Sequence, residues 1–373
     1  MMNIHHESVD AQTSTDAVER GIGNFVQDYA LLGERDHALI LYTPECRALA
    51  ARVVLAARAL GVAAYPVAMR PLKDDDFEGR LASFLPSDLK GRRLVVVTLE
   101  RETMSHGLSL RRSLSRYSPD SVSVLRVINA SDEFFAHAVS VPPEQLSQIN
   151  SGLLHRFMPA SRLSVKSDSG TDLEIDLEST RFRWLSNRGV WRAGAFSIFP
   201  PGEVSTYAAN VNGVLVADGA FNVTAYTGMD VRLRENPLTV QVEDQRMVEY
   251  SCDDPMVMEL VRRCLSYENA DRVGEVGIGT NFGIPDFIAM NSHINERRPG
   301  LHLGFGQHGQ KRSVVDYMSE VHLDLITDGS TFDPHDGQGV IHSSDFAPSD
   351  LPHPTDVDDE DIDGDCCGIF NFN

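Results

Sequence analysis

The sequence predicts an α/β protein in two unlike parts: an N-terminal α/β layer domain with a mostly parallel sheet, then a β-rich α+β domain carrying a metal site. Three observations lead there. Between residues 37 and 128, short aliphatic runs alternate with helix-like stretches, the signature of strands and helices in layers. From about residue 160 the pattern changes to alternating strands and turns. Between Glu275 and Asp324, imidazoles and carboxylates recur inside short apolar or glycine-rich runs.

The elements follow in order. Residues 1–20 read as a flexible N-terminus: MMNIHHESVDAQTSTD is polar, and His5 and His6 have no other donors near them in sequence. The same stretch lacks the apolar run of a secretory signal, so a cytoplasmic protein is expected. The α/β domain spans residues 21–155. Its strands are expected at His37–Tyr42, Val62–Val67, Arg93–Thr98 and Val122–Ile128. Between them lie an alanine-rich amphipathic helix from Cys46 to Leu60, ending near Gly61, and a second helix over Leu108–Tyr117. No strand there is followed by GxGxxG or GxxxxGK, so no nucleotide site is expected.

The metal-site domain spans residues 156–344. Strands are expected at Leu163–Lys166, at Leu173–Leu177 and from Leu238 to Val242, with Asn212-Gly213 as a turn. Pro255–Leu265 reads as a short helix capped by Asp253 or Asp254. Phe182, Trp184, Trp191 and Phe196 read as core packing, or one of them as the wall of an apolar pocket. From Asp345 onward there is no lysine or arginine, and DVDDEDIDGD packs seven acids into ten residues after prolines 348, 352 and 354. Residues 345–373 therefore read as an acidic disordered tail. Asp359 to Gly364 resembles the opening of an EF-hand loop, but the twelfth position is Phe370 where a bidentate glutamate is required. The closing CCGIFNFN reads as an unstructured end or as a docking segment for a partner.

Composition narrows the function classes. With 373 residues and 42% hydrophobic content, the chain can bury one large or two medium cores. A charge of -21, from 54 acids against 33 bases, disfavours a phosphate-binding surface and hence nucleic acid. No run of eighteen apolar residues is present, so no membrane span is expected. Five cysteines, widely spaced apart from Cys366-Cys367, do not form a disulfide framework.

The donor set is more specific. Val321-His322-Leu323-Asp324-Leu325 alternates with the period of a strand, so His322 and Asp324 point to one face while the apolar residues point to the other. Glu275 sits in Val273-Gly274-Glu275-Val276-Gly277-Ile278-Gly279, where a carboxylate is costly unless metal-bound, salt-bridged to Arg272 or on an edge facing water. His302, between two leucines, reads as a packed core histidine or as a ligand. Glu203 adds a further acid in PPGEVST, and the set as a whole suits zinc, manganese, cobalt or iron. Arg297 and Arg298 read as a solvated loop pair or as a binder of a substrate carboxylate.

The order GTDLEIDL, FPPGEVSTYAANVNGVLVADG, RVGEVGIGTN, GLHLGFGQH and VHLDLITDG, over roughly residues 160 to 330, resembles the thermophilic-type metalloaminopeptidases, leucyl aminopeptidase-like enzymes that include aminopeptidases T and S. That resemblance implies metal ligands at Glu203, Glu275, His302, His322 and Asp324 and a further tyrosine seven residues after the first histidine, where this chain has Gly309. His308 is adjacent and a candidate substitute. The resemblance also implies a homodimer. The 2,5-dihydroxypyridine 5,6-dioxygenases look similar on the same scaffold, and their His-x-Asp pair matches His322 and Asp324, whereas their other histidine falls at Glu275.

Two enzyme classes follow as expectations. The first is an aminopeptidase-like hydrolase using zinc, cobalt or manganese, with a peptide or small-molecule substrate and with Glu203 or Glu275 as ligand or general base. The second is a ring-cleaving dioxygenase with ferrous iron, in which His308 is the candidate acid or base. A third possibility is a catalytically inactive metal-binding or partner protein, because the tyrosine is missing.

Overall fold

The computed structural model describes residues 14–101 and 103–361. His5, His6, Cys366, Cys367, the closing CCGIFNFN and all but the first three residues of the EF-hand-like segment lie outside the described residues.

The first part is built on β1 (His37–Tyr42), β2 (Ala63–Ala68), β3 (Leu94–Glu100) and β4 (Val122–Ile128). β3 and β4 are buried along their whole length, as expected of parallel strands covered on both faces. A helix at Arg47–Ala59 covers one side, and Gly107–Leu114 forms the second expected helix. The flexible N-terminus expected over residues 1–20 is overturned for its described part. Ser14 caps a helix at Thr15–Asn24, accepting a 3.2 Å hydrogen bond from Ala17 N. Gly21 lets that helix press onto the backbone of Phe135, whose oxygen would lie only 1.6 Å from an added Cβ.

The second part continues with β5 (Arg162–Lys166), β6 (Asp172–Asp176), β7 (Trp184–Asn187), β8 (Phe196–Phe199), β9 (Glu203–Thr206), β10 (Asn210–Ala217) and β11 (Ala220–Val223). After β12 (Leu238–Glu243) and β13 (Arg246–Ser251) comes a helix at Pro255–Cys264, capped by Asp254, whose side chain accepts from Met256 N. The remaining strands are β14 (Val273–Gly279), β15 (Gly300–Gly306), β16 (His322–Ile326), β17 (Thr331–Asp333), β18 (Ile341–His342) and β19 (Asp358–Asp359).

Three sheets result. The first is parallel throughout, in the order β2-β1-β3-β4-β8, so the chain returns from the second half to complete it. The other two have seven strands each, β13-β12-β10-β6-β5-β17-β18 and β11-β16-β15-β14-β9-β7-β19. Apolar side chains from both, such as Leu173 and Val240 from one and Ile278, Leu303 and Leu325 from the other, meet in a single core. Trp184 belongs to that core, Phe182 and Phe196 are buried in smaller clusters, and Trp191 donates from its indole to Ser123 at 3.1 Å under Arg93.

Two sequence expectations need correction. Asn212-Gly213 is not a turn but lies inside β10, where Gly213 (φ +123°) lets β6 approach so closely that a Cβ would meet Asp172 O at 2.1 Å. The tight hairpin falls instead at Asp244-Gln245, both with positive φ, between β12 and β13. The acidic tail is ordered as far as residue 361. β19 adds in parallel to the outer edge of β7, and its acids meet arginines: Asp358 with Arg183 at 2.8 Å, Asp359 with Arg188 at 3.1 Å and Asp361 with Arg192 at 2.7 Å. Composition read this run as disordered, but arginines 183, 188 and 192 from elsewhere on the chain pair with it.

Candidate metal centre

The centre lies on one face of the second seven-stranded sheet, and strand periodicity explains why. Val276, Ile278, Leu303, Phe305, Leu323 and Leu325 turn into the core, so the intervening residues turn to the opposite face. The register places Glu275 opposite Gly304, Gly304 opposite Asp324, and Asp324 opposite Asn222. One row further, Gly277 lies opposite His302, and one row beyond that, Gly279 lies opposite Glu203. Donors on this face thus alternate with glycines. The glycines supply space: a Cβ on Gly304 would lie 2.8 Å from Asp324 Oδ1 and 2.8 Å from His322 Cε1, and one on Gly277 only 1.9 Å from His302 Nε2.

All five residues expected from the sequence converge, in two groups that share Glu275. One is Glu203, Glu275 and His302, and the other is Glu275, His322 and Asp324, the ligand atoms of each group lying within 4.8 Å of one another. They are not equivalent. In the second group His322 Nε2 is 2.9 Å from Asp324 Oδ1 and 3.4 Å from Glu275 Oε2, and His322 and Glu275 are each about one-fifth exposed. Asp324 is buried, and its partners among the described residues are the His322 ring at 2.9 Å and the neighbouring Glu296, with no arginine or lysine on it. Without a metal, the protonated His322 offsets the buried Asp324 together with the partly buried Glu275, and imidazole with two carboxylates is a donor set that zinc, manganese, cobalt and ferrous iron accept in place of that proton. The residues of this group therefore fit a divalent metal.

In the first group Glu203 already has partners. Its Oε1 is 2.8 Å from His302 Nε2, and its Oε2 is in contact with Arg297 Nη1. Arg297 is 1% exposed, which overturns its reading as part of a solvated loop pair. Its Nε donates to Pro200 O at 3.1 Å and its Nη2 to Glu360 of the acidic segment at 3.0 Å. Arg298 instead ion-pairs with Asp328 and lies over the Phe287 ring.

Burial pushes Glu275 up to about 7, only partly offset by His322. Burial alone would lower His322, but Asp324, Glu275 and Glu296 override it and raise it to about 10. Asp324, which burial would raise, is held below the usual carboxylate range by His322. His302 is pushed down to about 4 by burial, so it is neutral near pH 7. Glu296, buried beside Asp324 and bonded by Asn222, is raised well above the ordinary value by burial first and Asp324 second.

A pH dependence follows. Glu275 and His322 both have folded-state values above their ordinary ones, so the stability they lend is complete at low pH and lost as pH rises through about 7 and about 10 respectively. Below about pH 6.5 the depressed His302 works in the opposite direction and offsets Glu275, so melting of chelator-treated protein should fall mainly between about pH 6.5 and 8. Added zinc or manganese should flatten that slope, because a bound cation favours the ionised Glu275.

His308 is not brought to the centre. Its Nε2 is 2.9 Å from Tyr317 O, its Nδ1 accepts from Gln310 N at 3.2 Å, and it belongs to neither donor group. Gly309, in the place expected for tyrosine, accepts from Arg183 Nε at 2.9 Å, and a Cβ there would meet Leu185 Cδ1 at 3.0 Å. Sequence reasoning missed Glu296, Asn222, Glu360 and the buried state of Arg297. The glycines could have been read, since they alternate in step with Glu275 and His302.

Comparison with known proteins fits this geometry at the level of the fold. A family model described as crocagin biosynthetic protein CgnE/B matches residues 199–330, which contain every residue of both donor groups. The structure of 2,5-dihydroxypyridine dioxygenase from Pseudomonas putida KT2440 is similar, with a TM-score of 0.60 and 12% identity over 92% of this chain and 99% of that one. Wild-type AmpT from Thermus thermophilus, an aminopeptidase, is similar with a TM-score of 0.52 and 15% identity over 88% of this chain and 97% of that one. No curated protein sequence matches this chain. The chain thus shares its fold with two enzymes of different reaction class. Among the described residues, no helix is long and apolar enough to cross a membrane.

Proposed function

We propose that this protein is a metal-dependent hydrolase of the aminopeptidase-like kind, acting on an amide or peptide bond at the centre formed by Glu275, His322 and Asp324. The observation that carries this reading is the cluster of Asp324, His322 and Glu275, two carboxylates on one imidazole with no arginine or lysine among them, one carboxylate buried and the other two groups about one-fifth exposed. A divalent cation there supplies Lewis acidity and lowers the pKa of a bound water toward neutrality. Asp324 and His322 hold the ligand geometry rigidly, being two apart on one strand. Glu275, partly exposed and ionised when a cation is bound, has a carboxylate oxygen, Oε2, that would accept a proton from water and return it to a leaving amine. Glu203 is spoken for by Arg297 and His302, so the general-base role falls to Glu275.

A second reading is a protein that binds metal or a partner without turnover, and the same Arg297–Glu203 contact favours it, because a carboxylate held by arginine is withdrawn from the chemistry. The partial match to a biosynthetic protein family fits either reading. The test loads metal-free protein with cobalt or manganese and assays amino-acid anilides, then loads ferrous iron anaerobically and follows oxygen uptake with dihydroxylated aromatic rings. Anilide cleavage without oxygen uptake is expected. Oxygen uptake with ring opening would replace the hydrolase by a dioxygenase, and metal binding with neither activity would favour the non-catalytic reading.

A further inference from the structure

We infer that Arg297 stands in for a second cation, so that the centre holds a single divalent ion on Glu275, His322 and Asp324 while Glu203 and His302 are kept out of metal binding. The inference rests on the metal reading above and goes beyond it by fixing how many ions the centre takes and which donors take them. By donor type and spacing alone, Glu203, Glu275 and His302 form a group as acceptable to a metal as the other one. What separates the two is the guanidinium seated on Glu203 Oε2, at a contact an incoming ion would need.

Arginine cannot make way by losing its proton, as a lysine or histidine could. Nor is it free to swing out. The side chain is 1% exposed and is held at three points, by Pro200 O on Nε, Glu203 on Nη1 and Glu360 on Nη2. Glu360 belongs to the acidic segment that adds to β7, so the end of the described chain braces the arginine from the far side. His302 completes the arrangement by spending Nε2 on Glu203 Oε1 at 2.8 Å. The result is a fixed organic cation beside a site for one metal cation. In the other group the corresponding carboxylate, Asp324, has no guanidinium among its contacts; its cationic partner is the His322 ring at 2.9 Å, which can give up its proton to a metal as an arginine cannot.

The test counts ions on the full-length protein after exhaustive dialysis, by elemental analysis and by calorimetric titration with zinc and with manganese. One ion per chain is expected. Glu203→Gln should leave the count at one, His322→Ala should reduce it to none, and Arg297→Met, checked for folding by circular dichroism, should raise it to two. Two ions on the unsubstituted protein, loss of the ion in Glu203→Gln, or a folded Arg297→Met protein that still takes one would each overturn the role of Arg297 while leaving the metal reading intact. No ion on the unsubstituted protein would overturn both. Should Arg297→Met fail to fold, the Glu203→Gln and His322→Ala counts still decide which donors hold the ion.

Discussion

Replacing Gly304 with alanine should abolish divalent-metal binding while leaving the fold in place. The added methyl would sit 2.8 Å from Asp324 Oδ1, 2.8 Å from His322 Cε1 and 3.0 Å from the Cβ of Glu275, touching all three residues of the open donor group at once. None can yield easily, since each is fixed on a central strand whose other face is core. Altering the groups that orient metal ligands typically costs about 10- to 100-fold in metal affinity, and displacing the ligands themselves should cost at least about 100-fold. Gly228 has nothing within 4 Å of an added Cβ, so Gly228→Ala is the matched control and should bind normally. Titration of both proteins with zinc is the measurement. Unchanged affinity in Gly304→Ala would place the metal, if any, somewhere other than on Glu275, His322 and Asp324.

That expectation shows why part of the centre was readable from sequence. His322 and Asp324 lie two apart in an alternating run, so their convergence is a local property of strand geometry. Glu275 and His302 sit in runs where glycine recurs on the donors' own side, and a two-residue period alone places both on the glycine-lined face. Neighbouring strands then need only pair in register for the donors to meet, as they do at Glu275–Gly304–Asp324. The parallel sheet was legible for a related reason. β3 and β4 are rich in valine, leucine and isoleucine and are buried throughout, and helical stretches separate the strands of that part.

Arg297 was not legible, because nothing local marks it. It ends a four-residue helical turn at Ile294–Arg297, in a stretch whose polar composition is that of a surface loop. Its burial depends on Glu203, Pro200 and Glu360, which arrive from other parts of the chain. The consequence is chemical as well as structural. Donor identity pointed to five equivalent ligand candidates, whereas the placement of one cation divides them into three that are available and two that are engaged. His308 illustrates the opposite error: adjacency to Gly309 made it a candidate, but its ring nitrogens meet loop backbone.

Ending the chain after residue 356 should destabilise the second part of the protein and make its stability less sensitive to salt. By composition this acidic run reads as a disordered tail, and its partners were hidden by distance: Asp359 meets Arg188 from 171 residues further along the chain. The exposed pairs, such as Asp358 with Arg183, contribute only about 0.2–1 kcal/mol each and are screened by salt. The larger loss falls on Arg297, which would keep Glu203 but leave a buried Nη2 without Glu360, at a cost of about 1–3 kcal/mol. Asn187 would lose Glu360 as well, though it keeps Ile198 O at 3.1 Å. Thermal melting of the truncated and full-length proteins at about 50 mM and about 500 mM salt tests this, because the Debye length shrinks several-fold over that range. The full-length protein should melt higher at low salt, and the gap should narrow at high salt without closing, since the Arg297–Glu360 contact is shielded from solvent on the arginine side. A truncated protein that melts together with the full-length one at both salt concentrations would mean that the acidic strand lends nothing to the fold, and would leave Arg297 held by Glu203 and Pro200 alone.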